Sequence, residues 1–189
     1  MKRVWIAVLK ALGWSFDIPA RSERPELWHC VLVMAPHTSA ADFLVGVGGM
    51  WLRSVPCHIF IKKEFFRWPL GCVLRRMGCV SIDRGNPKNG LVAKAVEGFR
   101  SNADYSVALT PEATRRPVER WKRGYWEIAT QAGVPIVPVC IDFGNKHMSL
   151  FDTVWPSGDH EADTRRLRGL YTKSMARHPE KFIELKKEK

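Results

Sequence analysis

The chain has 189 residues, 46% of them apolar and 26% charged, the composition of an ordinary globular domain large enough to bury a substantial core. Thirty Lys and Arg against nineteen Asp and Glu give a formal charge of +11, a field that favours phosphate ligands, nucleic acid or an anionic membrane surface without choosing among them. No apolar run approaches the roughly 20 residues needed to span a bilayer, and five cysteines with no Cys-x-x-Cys pair, four of them in apolar surroundings, argue for buried reduced thiols in a cytoplasmic protein rather than a disulfide framework or a zinc site.

The N-terminal stretch MKRVWIAVLKALGW resembles a signal peptide at first sight. However, Lys10 interrupts its apolar run and no small-x-small cleavage site follows. Val4, Trp5, Val8, Leu9, Leu12 and Phe16 recur at helical spacing, with Lys2, Arg3 and Lys10 elsewhere on the wheel, so the segment reads as an amphipathic helix. Packing on the protein's own core and lying in a membrane interface are equally good accounts of it. Trp beside Lys or Arg suits the interface, here and in KKEFFRWP. For any single Trp, burial in the core is the better expectation.

A polar, proline-marked connection, DIPARSERPEL, follows. Short β-rich runs then alternate with helical segments. Val31–Met34 reads as a strand and Ser39–Trp51 as a helix, with Thr38 or Ser39 as its N-cap. His58–Ile61 and Cys79–Ile82 are further strands, separated by a partly helical Phe65–Met77 broken by Pro69 and Gly71. Asn89–Arg100 is a helix, Tyr105–Leu109 a strand, Arg123–Ala132 a helix ended by Gly133, and Ile136–Asp142 a strand. Asp159–Arg177 and Glu180–Lys187 close the chain as charged helices. The alternation predicts an α/β fold: a single domain with a mostly parallel central sheet flanked by helices, and an N-terminal amphipathic helix.

The polar groups of interest cluster just after strand ends, where open α/β sheets form their ligand sites. In VLVMAPHTSAADF, His37 precedes Asp42 by five positions. On one regular helix the two would stand about 140° apart and could not meet. They converge if His37 lies in the turn before the helix and Asp42 in its first turns. A carboxylate on one ring nitrogen then fixes the tautomer and raises the basicity of the other, giving a general base. On spacing alone, a capping acid beside an incidental histidine is the better account. LTPEATRRP places Glu112, Thr114, Arg115 and Arg116 after another strand, and paired guanidinium groups match phosphate oxygens. Taken singly, this reads as a solvated loop. Asp83 and Arg84 follow a third strand, Lys62 and Lys63 a fourth. Basic residues at three strand exits, with His37 at another, sketch a base beside a cationic pocket for an anionic substrate.

PHTSAAD, KKEFFRWPLG, GCVSIDRG, TPEATRR, WKRGYWEIA and GVPIVPV occur in an order and spacing that resembles the glycerophospholipid acyltransferase family, whose best-known members are the bacterial 1-acyl-sn-glycerol-3-phosphate acyltransferases. The likeness runs from Val31 to about Asp142 and rests on the ordered set rather than on any single motif. It implies that His37 deprotonates the acceptor hydroxyl and that Asp42 orients it. It also implies that Arg84, Glu112, Thr114, Arg115 and Lys62, with Lys63 the competitor of Lys62, hold the acceptor and its phosphate. Pro135 and Pro138 would shape the pocket. No cofactor or metal is expected, because acyl-CoA or acyl carrier protein (acyl-ACP) brings an activated thioester as co-substrate. The acceptor would be a membrane lysophospholipid and nucleic acid would not be a partner. The protein would act peripherally at the cytoplasmic face of the inner (plasma) membrane, with residues 1–20 as interface helix and 21–189 as acyltransferase domain.

Two departures stand out. Ala113 replaces the family glycine, so it either keeps an ordinary φ or narrows the pocket by a methyl group. Ala40 and Ala41 stand where an Asn or aromatic residue often precedes the Asp. The rival readings are a nucleic-acid-binding module, a catalytically idle lipid binder, a hydrolase using the same pair with water, and an acyltransferase acting on another lysolipid such as lyso-ornithine lipid.

Overall fold

Val31–Ala35, every residue of it buried, becomes the middle strand of a seven-stranded sheet. The computed structural model describes residues 2–82 and 90–185; Arg84 lies outside the described residues. The strands are β1 (Ser15–Phe16), β2 (Val31–Ala35), β3 (Cys57–Lys62), β4 (Cys79–Ile82), β5 (Ser106–Leu109), β6 (Ile136–Asp142) and β7 (His147–Leu150). They lie in the order β1-β7-β6-β2-β5-β3-β4, and every neighbouring pair is parallel except β6–β7. The helices are α1 (Lys2–Ala11), α2 (Ala41–Leu52), α3 (Leu70–Arg76), α4 (Leu91–Ser101), α5 (Gly124–Ala132) and α6 (His160–Arg168). This is a single α/β domain with a mostly parallel sheet, as the alternation predicts.

The connections fix which helix covers which face. From β2 through α2 to β3 the chain moves toward the β4 edge; from β5 through α5 to β6 it moves toward the β1 edge. Right-handed crossovers running in opposite directions put α2 and α5 on opposite faces. Two apolar clusters bear this out. Leu9, Val45 and Met50 pack with Leu32 and Val139 on one side, while Ala95, Phe99, Tyr125 and Ile128 pack with Val33 and Val107 on the other. Because β2 and β5 are neighbours, a crevice opens between their C-terminal ends, the topological switch point of the sheet.

Helix α1 docks on α2 along one edge. Leu9 is 3% exposed, worth about 2 kcal/mol of apolar burial, and it lies where a Cβ on Gly48 would collide with its side chain. Trp5 Nε1 donates to the Leu44 carbonyl at 3.1 Å. Val4 and Val8 on the helix, and Leu12 just beyond it, stay exposed. Among the described residues no helix is long and apolar enough to cross a membrane. All five cysteines are free; Cys30, Cys79 and Cys140 are buried, Cys57 is half-buried and Cys72 exposed.

The C-terminal third departs from the periodicity. The helix expected over Asp159–Arg177 ends at Arg168, and the one expected over Glu180–Lys187 is a single 3-10 turn, Pro179–Lys181, with residues 182–185 irregular. Tertiary contacts override propensity here. Tyr171 is drawn into the core and donates its hydroxyl to the Val33 carbonyl at 3.0 Å. Buried Arg168 holds the tail by donating to the Glu119 carbonyl at 2.5 Å and the Ile183 carbonyl at 3.2 Å. Gly133, by contrast, ends α5 as expected, at φ +66.

Candidate active site

After β2 the chain leaves the sheet through a cis Ala35–Pro36 peptide, and His37, Thr38 and Ser39 form the turn that enters α2. Asp42 lies in the first turn of that helix and is 4% exposed. Its Oδ2 lies 3.0 Å from His37 Nδ1 and accepts from the backbone N–H of Thr38 at 2.8 Å and of Ser39 at 2.9 Å; Oδ1 accepts from Ser39 Oγ at 3.2 Å. The carboxylate therefore serves both of the roles that compete on sequence grounds. It gathers the turn at the positive end of the α2 dipole and it grips the imidazole. With Nδ1 as the donor, Nε2 carries the lone pair, and no described residue pairs with it. Helix α2 begins at Ala41 rather than Ser39, and Ser39 Oγ accepts from the Ala41 N–H at 2.9 Å.

The segment after β5 meets this turn from the other side of the crevice. Glu112 is 5% exposed, and its Oε2 accepts from the His37 backbone N–H at 2.6 Å. Burial pushes its carboxyl up to about 7, against the opposing pull of that N–H and of the His37 and Arg168 charges. Arg168 is the buried cation on the α6 side; burial lowers its pKa while Glu112 acts to raise it. Glu112 thus lies behind the histidine, within the field of Arg168, and is not part of the cavity wall.

The wall encloses about 510 Å3. His37 and Asp42 contribute to it beside an apolar lining that includes Phe43, Val47, Ile59, Ile61 and Phe65. Lys62, Arg115 and Lys122 supply its cations, and Ala113 and Thr114 complete the side formed by the loop after β5. An apolar cleft with one base and a few convergent cations suits an amphipathic anion. Of the two competing lysines Lys62 is on the wall, while Lys63 begins an exposed turn from which Phe65, not Lys63, reaches the wall. Pro135 and Pro138 belong to the sheet: the Pro135 carbonyl accepts from the Val31 N–H, and Pro138 pairs with Val33.

One feature was not foreseen, and the choice between the two readings of Ala113 falls on the narrowed pocket. Lys122 reaches the cavity because its N–H donates to the Pro111 carbonyl at 2.8 Å, tying the 117–123 segment to the loop after β5. The only sign of it in the sequence was its place in the WKRG block. Ala113 takes φ +56, so it does not keep an ordinary φ; the left-handed backbone is retained without glycine and the methyl group lines the cavity. A non-glycine residue pays about 1–2 kcal/mol for that conformation.

A profile of the family described as Acyltransferase matches residues 21–142. The 1-acyl-sn-glycerol-3-phosphate acyltransferase of Cocos nucifera is 30% identical over 139 residues, covering 70% of this chain and 44% of that protein. The enzyme of the same name from Escherichia coli (strain K12) is 30% identical over 102 residues, covering 50% and 41% respectively. The chain thus spans less than half the length of each of these relatives. The crystal structure of the 1-acyl-sn-glycerophosphate (LPA) acyltransferase of Thermotoga maritima superposes with a TM-score of 0.64 over 89% of this chain and 74% of that one; at 18% identity the likeness is one of fold. The matched span runs from ahead of β2 to the end of β6 and so takes in the histidine turn, Lys62, the Glu112 loop and Lys122; on that match, this chain belongs to the acyltransferase family.

Proposed function

We propose that the protein transfers a fatty-acyl group from acyl-CoA or acyl-ACP to the free hydroxyl of a lysophospholipid of the 1-acyl-glycerol-3-phosphate type. The observation that carries this reading is the 3.0 Å contact of His37 Nδ1 with buried Asp42 on the wall of a cavity that also holds three cations. His37 Nε2 takes the acceptor proton as the hydroxyl oxygen attacks the thioester carbonyl. The new C–O bond forms, the C–S bond breaks, and the imidazolium returns its proton to the departing thiolate. No protein nucleophile is needed, because the thioester is already activated. Lys62, Arg115 and Lys122 hold the acceptor phosphate, and their contribution is placement of the hydroxyl rather than bond breaking. Arg84 joins them on the strength of the family motif. The apolar lining receives acyl chain, and three cations around it favour a phosphate headgroup over an aminolipid. The protein works peripherally, at the cytoplasmic face of the inner membrane.

The test follows free thiol in a mixture of acyl-CoA and lysophosphatidate. Wild type is expected to release thiol and form phosphatidate, and His37→Ala is expected to lose at least a thousandfold in rate. Equal rates for the two proteins would refute the assignment. Thiol release that needs no acceptor would make the protein a hydrolase instead.

A further inference from the structure

Ten large hydrophobic side chains are exposed among the described residues, and they are unevenly placed. Three belong to α1 and its end: Val4, Val8 and Leu12. Leu44 is on α2. Four more, Phe65, Trp68, Leu70 and Val73, come from the β3→β4 crossover, where the 3-10 turn Lys63–Phe66 folds against α3 as a helical hairpin. Only Trp155 and Ile183 lie elsewhere. Trp68 is the extreme case, 87% exposed.

The fold puts these elements on one side. The β2→β3 and β3→β4 crossovers run in the same direction across the sheet, so α2 and α3 share a face. Helix α1 packs on α2, with Trp5 bonded to the carbonyl of Leu44 itself. On the other flank of α2, Phe43 lines the catalytic cavity together with Phe65 of the hairpin. Phe65 is thus both one of the exposed apolar groups and part of the cavity wall, which places the others on the face that carries the cavity. Their neighbours are cationic: residues 2–12 carry Lys2, Arg3 and Lys10 and no acid, and residues 62–77 carry five Lys or Arg against Glu64 alone. These two stretches supply three and four net charges of the chain's +11.

We propose that this face, α1 together with the 63–76 hairpin, docks on an anionic bilayer by two separate contacts, with the cavity opening between them. An apolar patch rimmed by Lys and Arg and led by an exposed Trp matches a headgroup layer, in which rings sit at the interface and cations meet lipid phosphate. The hairpin, not the N-terminal helix alone, makes the second contact. Because Phe65 belongs at once to the hairpin and to the cavity wall, and Lys62 on that wall is the residue just before it, an amphipathic acceptor moves from the bilayer to His37 with its chain shielded from water throughout. The passage of acceptor rests on the acyltransferase reading; the docking itself does not.

The experiment is vesicle flotation of the full chain with phosphatidylcholine vesicles containing or lacking phosphatidylglycerol, at low and high salt. Wild type is expected to float with the anionic vesicles at low salt and much less with neutral ones. The double variant Trp68→Ser, Leu70→Ser, neither residue lining the cavity, is expected to partition at least tenfold more weakly. Its circular dichroism and its thiol release with a short-chain, monomeric acceptor should match wild type. A spin-labelled lipid should quench wild-type Trp fluorescence, and a Trp68→Phe variant should lose part of that quenching. Partitioning unchanged in the double variant would overturn the proposal. So would a dimer in sedimentation that the double substitution dissociates, without vesicle binding by either protein, since the face would then join two copies of the chain. Vesicle binding without thiol release would leave the docking intact and defeat the acyltransferase reading separately.

Discussion

Substituting Glu112 by Gln isolates the consequence of burying an ionisable group behind the histidine. The amide keeps an oxygen that accepts from the His37 N–H, now 2.6 Å from Oε2, but it cannot titrate. In wild type the carboxyl stands at about 7 in the folded protein, against an ordinary value near 4.5, because burial disfavours the charged form. The folded state therefore binds the proton more tightly than the unfolded one. Stability is fullest below about 4.5 and is lost as pH rises through the folded value near 7. At about 1.4 kcal/mol per tenfold step, the wild type loses about 3 kcal/mol between pH 4.5 and 8 on account of this group alone. The assay is urea unfolding of both proteins across that range, followed by Trp fluorescence. A constant offset between them reports the exchange of a carboxyl for an amide at this hydrogen bond and bears on nothing else. What counts is the change of the offset with pH: the variant should gain about 3 kcal/mol on wild type from pH 4.5 to 8. Parallel stability curves would show that Glu112 titrates like an exposed carboxyl and would refute the account of how the turn is braced.

Asp42→Asn should leave the cavity in place but lower thiol release by about a thousandfold or more, since the amide no longer fixes Nδ1 as the donor; a loss of less than tenfold would remove Asp42 from the mechanism. Ala113→Gly relieves a left-handed φ of +56 and should raise stability by about 1 kcal/mol in the same urea assay. Arg115→Ala and Lys122→Ala should raise KM for a phosphate-bearing acceptor several-fold with kcat nearly unchanged, and a fall confined to kcat would place them elsewhere in the reaction.

The sheet was legible where a strand carried its own punctuation. Four apolar residues ending at Pro36 announce β2, and Ile136–Asp142 emerges as β6 with the predicted bounds because its apolar run starts just after Gly133 and Pro135. Strands β1 and β7 have two and four residues and exist only through pairing, so nothing local marks them. The charged C-terminal segment has helical periodicity, yet Tyr171 and Arg168 tie it to the core and break the helix, a contest that only the folded chain decides. At the site, the order of the motifs located the cavity wall. The strand exits that carry His37, Lys62 and Arg115 do converge on it. Spacing could not reveal that Glu112 faces the back of His37, because a carboxylate after a strand looks the same whether it turns toward ligand or toward backbone.

The two-residue strand β1 also bears on how the N-terminal segment can be handled. Ser15 N–H donates to the Lys146 carbonyl and Asp17 N–H to the Met148 carbonyl, so this brief pairing seals the outer side of β7. An unsealed strand margin is a template for pairing with other chains, and very short flanking strands are one way proteins blunt it. Residues 2–17 are therefore a guard against edge-to-edge aggregation as well as a helix with an exposed apolar stripe. A truncation made to remove the stripe and improve solubility would uncover β7 and work against its own purpose.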